Sequence, residues 1–134
     1  MEDYLWAIRW LNNMRCIDQG GKITANGKRA TKLPVHYVWY NAFYGGFKHS
    51  CLSQIITVAA LLSTHGDILM RPHVVRYVAD VKRSSFGHPA SDHITRLTAM
   101  TFYVKSHRQI GETLAGCCNE YMVNQRVAEQ VLQI

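Results

Sequence analysis

The sequence contains no apolar run long enough to cross a membrane. Its longest such run, residues 50–63 (SCLSQIITVAALLS), is shorter than the stretch of about 20 apolar residues that a bilayer span requires. A secretory signal is also missing, because the first ten residues, MEDYLWAIRW, carry two acids where a signal has a basic start and then a continuous apolar block. We therefore expect an intracellular protein, in which residues 50–63 form a buried core helix.

The spacings of disulfide and metal sites are absent as well. The four cysteines, Cys16, Cys51, Cys117 and Cys118, show no Cys-x-x-Cys pattern, and adjacent cysteines rarely bridge each other. The seven histidines do not fall at the paired spacings of zinc ligands. We expect reduced thiols and no metal site.

Spacing also argues against a nucleotide loop and a catalytic triad. In residues 21–29 (GKITANGKR) five residues separate the two glycines where a phosphate loop has four, and Arg29 stands where that loop needs Ser or Thr. Ser91, Asp92 and His93 are consecutive, so on a helix their side chains point about 100° apart and cannot align as a triad. We expect a helix cap at Ser91 or Asp92, an ion pair between Asp92 and Arg96, and no catalytic residue.

Helical periodicity runs through most of the chain and predicts a mainly α fold. Helices are predicted over residues 2–14, 24–31, 35–44, 50–63, 72–83, 92–105 and 112–134, with a break in the last near Asn124. Gly45-Gly46 should end the third of them. A Gly-Gly turn between two short extended pieces predicts a small β-hairpin within residues 16–24.

The periodicity also predicts which apolar residues are buried. In the core helix these are Leu52, Ile55, Ile56, Ala59 and Leu62, and in the next helix Val74, Val75, Val78 and Val81.

Positive charge is concentrated in the first part of the chain. The net charge is +6, and residues 1–50 hold seven Lys or Arg against three Asp or Glu. Lys28, Arg29 and Lys32 lie on one side of a short predicted helix, where they form either a phosphate-binding surface or a solvated basic face. The aromatic side chains of the next helix either stack on bases or pack in a core or partner interface. These are Tyr37, Trp39, Tyr40 and Tyr44.

The order of several short motifs is similar to that of a known family. A leucine-glycine-alanine-hydrophobic-aspartate turn is represented by residues 14–18 (MRCID), and the glycine-basic step that follows by residues 27–29 (GKR). Arg71-Pro72 and the aspartate-histidine-hydrophobic-threonine signature at residues 92–95 (DHIT) come later, in the same order. Arg96 stands where that family has leucine, and Gln125 where it has arginine. The chain resembles the helicase-associated region of DEAH-box RNA helicases.

The resemblance implies a degenerate winged helix over residues 1–48 and a helical, ratchet-like bundle over residues 49–134. It implies a non-catalytic accessory domain that forms part of a single-stranded RNA channel. The expected location is intracellular, in the nucleus rather than in the cytoplasm. ATP and magnesium would belong to motor lobes that this sequence does not contain, so no cofactor is expected here. The implied partners are single-stranded RNA, the motor lobes and a glycine-patch activator protein.

The residues expected to contact RNA or to position the ratchet are Lys28, Arg29, Lys32, Asp92, His93, Thr95 and Arg96. The alternative is a protein-interaction scaffold that docks a partner through its aromatic helix, without RNA contact.

Overall fold

The computed structural model describes residues 1–110 and 114–134, and side chains up to residue 108 and from residue 114. Within these ranges the chain is mainly helical, as the sequence predicts. The helices are α1 (Glu2–Asn13), α2 (Ala25–Ala30), α3 (Trp39–Lys48), α4 (Leu52–Ser63), a 3₁₀ helix (His73–Val75), α5 (Arg76–Ser84), α6 (Asp92–Ile110), α7 (Leu114–Glu120) and α8 (Gln125–Gln133).

The chain separates into two compact units, Met1–Ile55 and Ile56–Ile134, which we call the N-terminal and C-terminal units. The assignment of residues 1–48 to a winged helix and of residues 49–134 to a ratchet bundle stays a prediction.

The β-hairpin predicted within residues 16–24 is wrong. No strand occurs in the part of the chain that the structure describes, and the segment retains only one antiparallel bridge, between Ile17 and Ile23. The turn between them is tight, because the Asp18 N–H donates to the Lys22 carbonyl at 2.8 Å and the Lys22 N–H donates to the Asp18 carboxylate at 2.9 Å. Thr24 begins a helix immediately afterwards, so no residues remain to extend a ladder.

The start of α2 is set by two local features. The Thr24 side chain accepts a hydrogen bond from the Gly27 N–H at 3.0 Å, which confirms the predicted cap. Gly27 is buried, and a Cβ atom at this position would collide with the Cys16 carbonyl oxygen. Glycine is therefore required for α2 to lie against the preceding turn.

Helix α3 does not end at Gly45-Gly46 as predicted but continues to Lys48. Gly46 is buried, and a Cβ atom there would lie 3.1 Å from both Leu52 Cα and Ile55 Cγ1. The glycine serves close packing against the start of α4, and for that reason it does not mark a helix end.

The core of the C-terminal unit is centred on α6, which contributes the fully buried Ala99, Met100 and Tyr103. Helix α4 forms as predicted but buries Ala59, Ala60 and Leu61, whereas the predicted core residues Ile56 and Leu62 are 46% and 42% exposed. The prediction is therefore confirmed for Ala59 and wrong for Ile56 and Leu62, because both sides of α4 are apolar and spacing alone does not choose between them.

The valines predicted to be buried before and within α5 are exposed, from Val75 at 37% to Val74 at 96%. The only buried residue of α5 is Ala79. The chain after Pro72 first forms the 3₁₀ helix. Within α5 itself Val78 and Val81 are 45% and 50% exposed, so this helix packs on the side of the small Ala79 and leaves its valines on the surface.

The break predicted near Asn124 is confirmed, because α7 ends at Glu120 and the Asn124 side chain caps α8 by accepting from the Val127 N–H at 3.3 Å. The predicted start of this helical region at Glu112 lies outside the described residues. No described helix is both long and apolar enough to span a bilayer.

The Tyr103 hydroxyl is buried and makes no hydrogen bond to any described residue, and burial is the main cause that raises its pKa. An unsatisfied buried hydroxyl is destabilising, so Tyr103→Phe should leave the free energy of unfolding unchanged or raise it by about 1 kcal/mol. Urea unfolding at neutral pH measures this change. Met100→Ala, in the same core, should lose about 2–5 kcal/mol and shows that the measurement detects core packing. A loss above about 1 kcal/mol in Tyr103→Phe would instead reveal a partner for the hydroxyl.

Candidate functional site

The three basic residues singled out in the sequence are all exposed. Lys28 and Arg29 lie in the last turn of α2, and Lys32 follows its end. None of the three forms an ion pair with another residue that the structure describes. Their charges are therefore available to an anionic partner.

The four aromatic residues do not form one stacking surface. Trp39 lies parallel to Phe43, with ring centroids 6.4 Å apart, and Tyr37 lies against His36. Tyr40 and Tyr44 instead line the same polar cavity, and Tyr44 is 71% exposed.

That cavity, which we call the arginine–tyrosine cavity, has a volume of about 490 Å³ and lies within the N-terminal unit. Its lining residues come from α3, α2 and the end of α1 with the turn that follows, and all carry polar side chains. They are Asn13, Arg15, Asn26, Arg29, Tyr40, Asn41 and Tyr44. The cavity joins one predicted basic residue to two predicted aromatic residues and adds Arg15 and three asparagines, which sequence reasoning missed. The one feature of the sequence that could have pointed to Arg15 is its place in residues 14–18, where the turn motif has glycine.

A second group of charged residues surrounds Asp67 in the C-terminal unit. Arg96 donates to the Asp67 carboxylate from Nε at 3.3 Å and from Nη2 at 3.2 Å. Arg83 lies 4.0 Å from the same carboxylate and 3.4 Å from the carboxylate of Asp92. The four residues thus form an alternating charge chain. It joins the loop before Ile68 to α5 and to the first turns of α6.

The predicted i,i+4 pair of Asp92 with Arg96 is wrong, because each residue has a different partner. Arg96 and Asp67 are both partly buried, with exposed side-chain fractions of 28% and 36%, whereas Asp92 is 76% exposed. A partly buried guanidinium gains more from a shielded carboxylate held on two hydrogen bonds than from an exposed neighbour. Sequence analysis missed Asp67 and Arg83 as partners of Arg96 and Asp92, because helical spacing predicts only pairs three or four residues apart.

The charge chain lowers the pKa of Asp67 below its ordinary value of 3.8. Partial burial is the largest single influence and raises the pKa. It is outweighed by the hydrogen bonds from Arg96 and the Leu69 N–H together with the positive charges of Arg96 and Arg83. Asp67 is therefore ionised in the folded protein at neutral pH.

At the start of α6, the side chains of Ser91 and Thr95 make hydrogen bonds to backbone groups of the protein itself. The Ser91 hydroxyl accepts from the Ile94 N–H at 3.3 Å, which confirms the predicted cap. Thr95 is 3% exposed, and its hydroxyl accepts from the His88 N–H at 2.9 Å and donates to the Ser91 carbonyl at 3.1 Å. Thr95 therefore holds the preceding loop onto α6, which is a positioning role. Asp92 and His93 are exposed beside it.

Metal-ligating residues do not cluster in the described ranges, since no three His, Cys, Asp or Glu side chains there lie close enough to hold an ion. The four cysteines are free, and Cys16 and Cys118 are buried.

Residues 42–96 match the family described as helicase associated domain (HA2), ratchet-like. This part of the chain resembles a ratchet-like helicase-associated domain. The resemblance inferred from the sequence motifs is confirmed over these residues, which we call the helicase-associated segment. The segment contains the whole charge chain of Asp67, Arg83, Asp92 and Arg96. Of the residues that line the arginine–tyrosine cavity, it contains only Tyr44.

Asp67→Asn should destabilise the protein by about 1 kcal/mol at pH 7, because the amide carries no charge to pair with Arg96. A carboxyl group with a lowered folded pKa stabilises the folded state above its ordinary value of 3.8, and this contribution is lost as the pH falls through the folded value. The stability difference between the variant and the wild type should therefore be constant between about pH 5 and pH 7 and shrink at lower pH. Thermal or urea unfolding over this pH range measures it.

Asp92→Asn is the matched control, because it removes the same charge from the exposed end of the charge chain. It should change stability by less than about 0.5 kcal/mol at pH 7. Equal losses in the two variants, or a pH-independent loss in Asp67→Asn, would contradict the assignment of Asp67 as the stabilising carboxylate.

Proposed function

We propose that this chain is a non-catalytic accessory domain of an ATP-dependent DEAH-box RNA helicase, in which it forms part of the single-stranded RNA channel and supports translocation. The observation that carries the proposal is the similarity of residues 42–96 to a ratchet-like helicase-associated domain. Such a domain works beside helicase motor domains, which would bind ATP and magnesium and hydrolyse the nucleotide.

The exposed cations in α2 and just after it support RNA binding. A translocating helicase has to hold every sequence it passes over, and contacts to phosphates supply affinity that does not depend on sequence. Lys28, Arg29 and Lys32 are exposed and make no ion pair with a described residue, so phosphate binding would break no internal contact.

The exposed start of α6 supports a second contact with the strand. Asp92 repels phosphates, but its carboxylate can accept a hydrogen bond from a ribose 2′-hydroxyl, which DNA lacks. His93 is exposed beside it and offers a ring for stacking on a base. In this proposal Arg83 holds the Asp92 carboxylate, and Asp67, Arg96 and Thr95 hold the start of α6 in place. These four residues do not themselves touch RNA.

The second candidate function is a protein-interaction scaffold, and the exposed aromatic residues of α3 favour it. Tyr44 and Phe47 are 71% and 73% exposed, and exposed aromatic rings are frequent anchors of protein interfaces. Trp39, Tyr40 and the preceding Tyr37 would complete such a surface. This second function involves no RNA contact, and a glycine-patch activator would be one partner of this kind.

The test is fluorescence anisotropy of a labelled single-stranded oligouridylate titrated with the chain at several salt concentrations. Three phosphate contacts should weaken binding by about 20-fold between about 50 and 200 mM salt, because the affinity for single strands falls with a log–log slope of about −0.7 for each contact. Changing Lys28, Arg29 and Lys32 together to Ala should weaken binding at low salt and remove most of this slope.

The matched control changes Arg9, Lys22 and Lys48 to Ala, which removes the same charge from other exposed positions of the N-terminal unit. If the control loses as much affinity as the α2 variant, net charge and not a surface on α2 attracts RNA. If no binding occurs at about 100 μM protein in low salt, this chain has no strand affinity of its own and the scaffold function is favoured.

A further inference from the structure

The arginine–tyrosine cavity has the size and lining of a small-ligand site. Its volume of about 490 Å³ falls within the range of about 300–1,000 Å³ that is usual for ligand pockets. Most pockets are lined largely by apolar side chains, whereas this one is lined by arginine, asparagine and tyrosine only. Its ligand should therefore be polar and should carry a planar group for the tyrosine rings.

The charge of the cavity favours an anion. Arg15 and Arg29 both line it, no lining residue is acidic, and neither arginine forms an ion pair with a described residue. A guanidinium presents its N–H donors in a planar fork that matches phosphate oxygens. A phosphate group bound between the two arginines would supply the counter-charge that the protein itself does not provide.

The remaining lining residues suit a nucleoside. The Tyr40 hydroxyl donates to the side-chain amide oxygen (Oδ1) of Asn26 at 3.3 Å, which leaves the N–H groups of the same amide to donate to a ligand. Side-chain amides of this kind pair with the edges of bases. The exposed ring of Tyr44 provides a face on which a base can stack.

The backbone at Arg15 is strained. Its φ angle is +55°, in the left-handed region that glycine adopts freely and that other residues adopt rarely. Two hydrogen bonds fix this conformation: the Arg15 N–H donates to the Asn12 carbonyl at 2.8 Å, and the Arg15 carbonyl accepts from the Thr24 hydroxyl at 2.6 Å. Glycine would adopt this conformation at lower cost. Ser50 and Met122 have the same left-handed conformation after α3 and α7, so this conformation is the way these helices end; the cavity lining carries the argument for a ligand.

We infer that the arginine–tyrosine cavity binds one nucleoside monophosphate unit, with the phosphate between Arg15 and Arg29 and the base against Tyr44. The unit is either a free nucleotide or one residue of a single-stranded RNA, because both present the same groups. The inference goes beyond the proposed function, since all but one of the lining residues lie outside the helicase-associated segment.

The experiment titrates the whole chain with AMP by calorimetry and with labelled oligoadenylate by anisotropy. Arg15→Gly should weaken AMP binding by about 10- to 100-fold, because charge-assisted hydrogen bonds to the phosphate are lost. The same variant should raise the melting temperature of the free protein, because glycine relieves the strained φ angle. If Arg15 had only a structural role, the more stable Arg15→Gly variant would bind AMP as tightly as the wild type.

Two matched variants complete the design. The charge control is Arg9→Ala, which removes one exposed charge elsewhere in the same unit and should leave AMP affinity unchanged. Alanine is used at this position because glycine would weaken α1. Tyr44→Ala should weaken AMP binding but not the binding of inorganic phosphate, because only the base stacks on the ring.

The outcomes separate the two sources of the ligand and the two proposals. Loss of both AMP and oligoadenylate binding in Arg15→Gly places a strand residue in the cavity. Loss of AMP binding, in a chain that binds no oligoadenylate, supports a free-nucleotide site and contradicts the RNA function. Oligoadenylate binding that is unchanged in Arg15→Gly, with no AMP binding up to about 10 mM, overturns the cavity proposal and leaves the RNA function standing.

Discussion

The C-terminal unit depends on one short backbone pairing inside its core. Ile68, Leu69 and Val123 are 4% exposed or less and lie outside the helices, so their N–H and C=O groups need partners within the protein. Across the antiparallel bridge of Leu69 with Val123, the Asn124 N–H donates to the Ile68 carbonyl and the Met70 N–H donates to the Met122 carbonyl, both at 2.8 Å. Beside the bridge, the Leu69 N–H donates to the Asp67 carboxylate at 3.2 Å and the Val123 N–H to the Cys118 carbonyl at 2.8 Å. Each buried group left unpaired would cost about 1–3 kcal/mol. The pairing is what allows two non-helical segments to pass through a helical core.

The same pairing positions the charge chain. Asp67 directly precedes the bridged segment, and its carboxylate accepts from the Leu69 N–H at 3.2 Å, so the backbone that is fixed by Val123 also fixes the carboxylate. Arg96 then reaches a partner whose position is already determined. The first turns of α6 are thus held to the core by charge as well as by packing.

Local chemistry explains what could be predicted from the sequence. The caps at Thr24, Ser91 and Asn124 follow from side chains that bond to N–H groups three residues away, and all three were predictable as helix starts or breaks. The buried face of α4 was predictable only in part, because α4 is apolar on both sides, and that of α5 was not, because α5 buries Ala79 and leaves its valines exposed. Asp67 with Arg96, and Arg15 with Tyr44, are brought together only by tertiary structure. Individual members of the candidate sites were therefore predictable, but their partners were not.

The left-handed backbone conformation of Arg15 lowers the stability of a unit whose core is small. The buried residues of the N-terminal unit are Cys16, Gly27, Ala30 and Gly46, all small, so this unit has little apolar surface with which to offset a strained backbone. A non-glycine residue in such a conformation costs about 1–3 kcal/mol, against a total stability of about 5–15 kcal/mol for an ordinary domain. An anion bound between the two arginines would stabilise the folded state in proportion to its concentration and affinity. In a unit with so small a core, a ligand in the cavity would therefore contribute to the stability of the folded state as well as occupy the site.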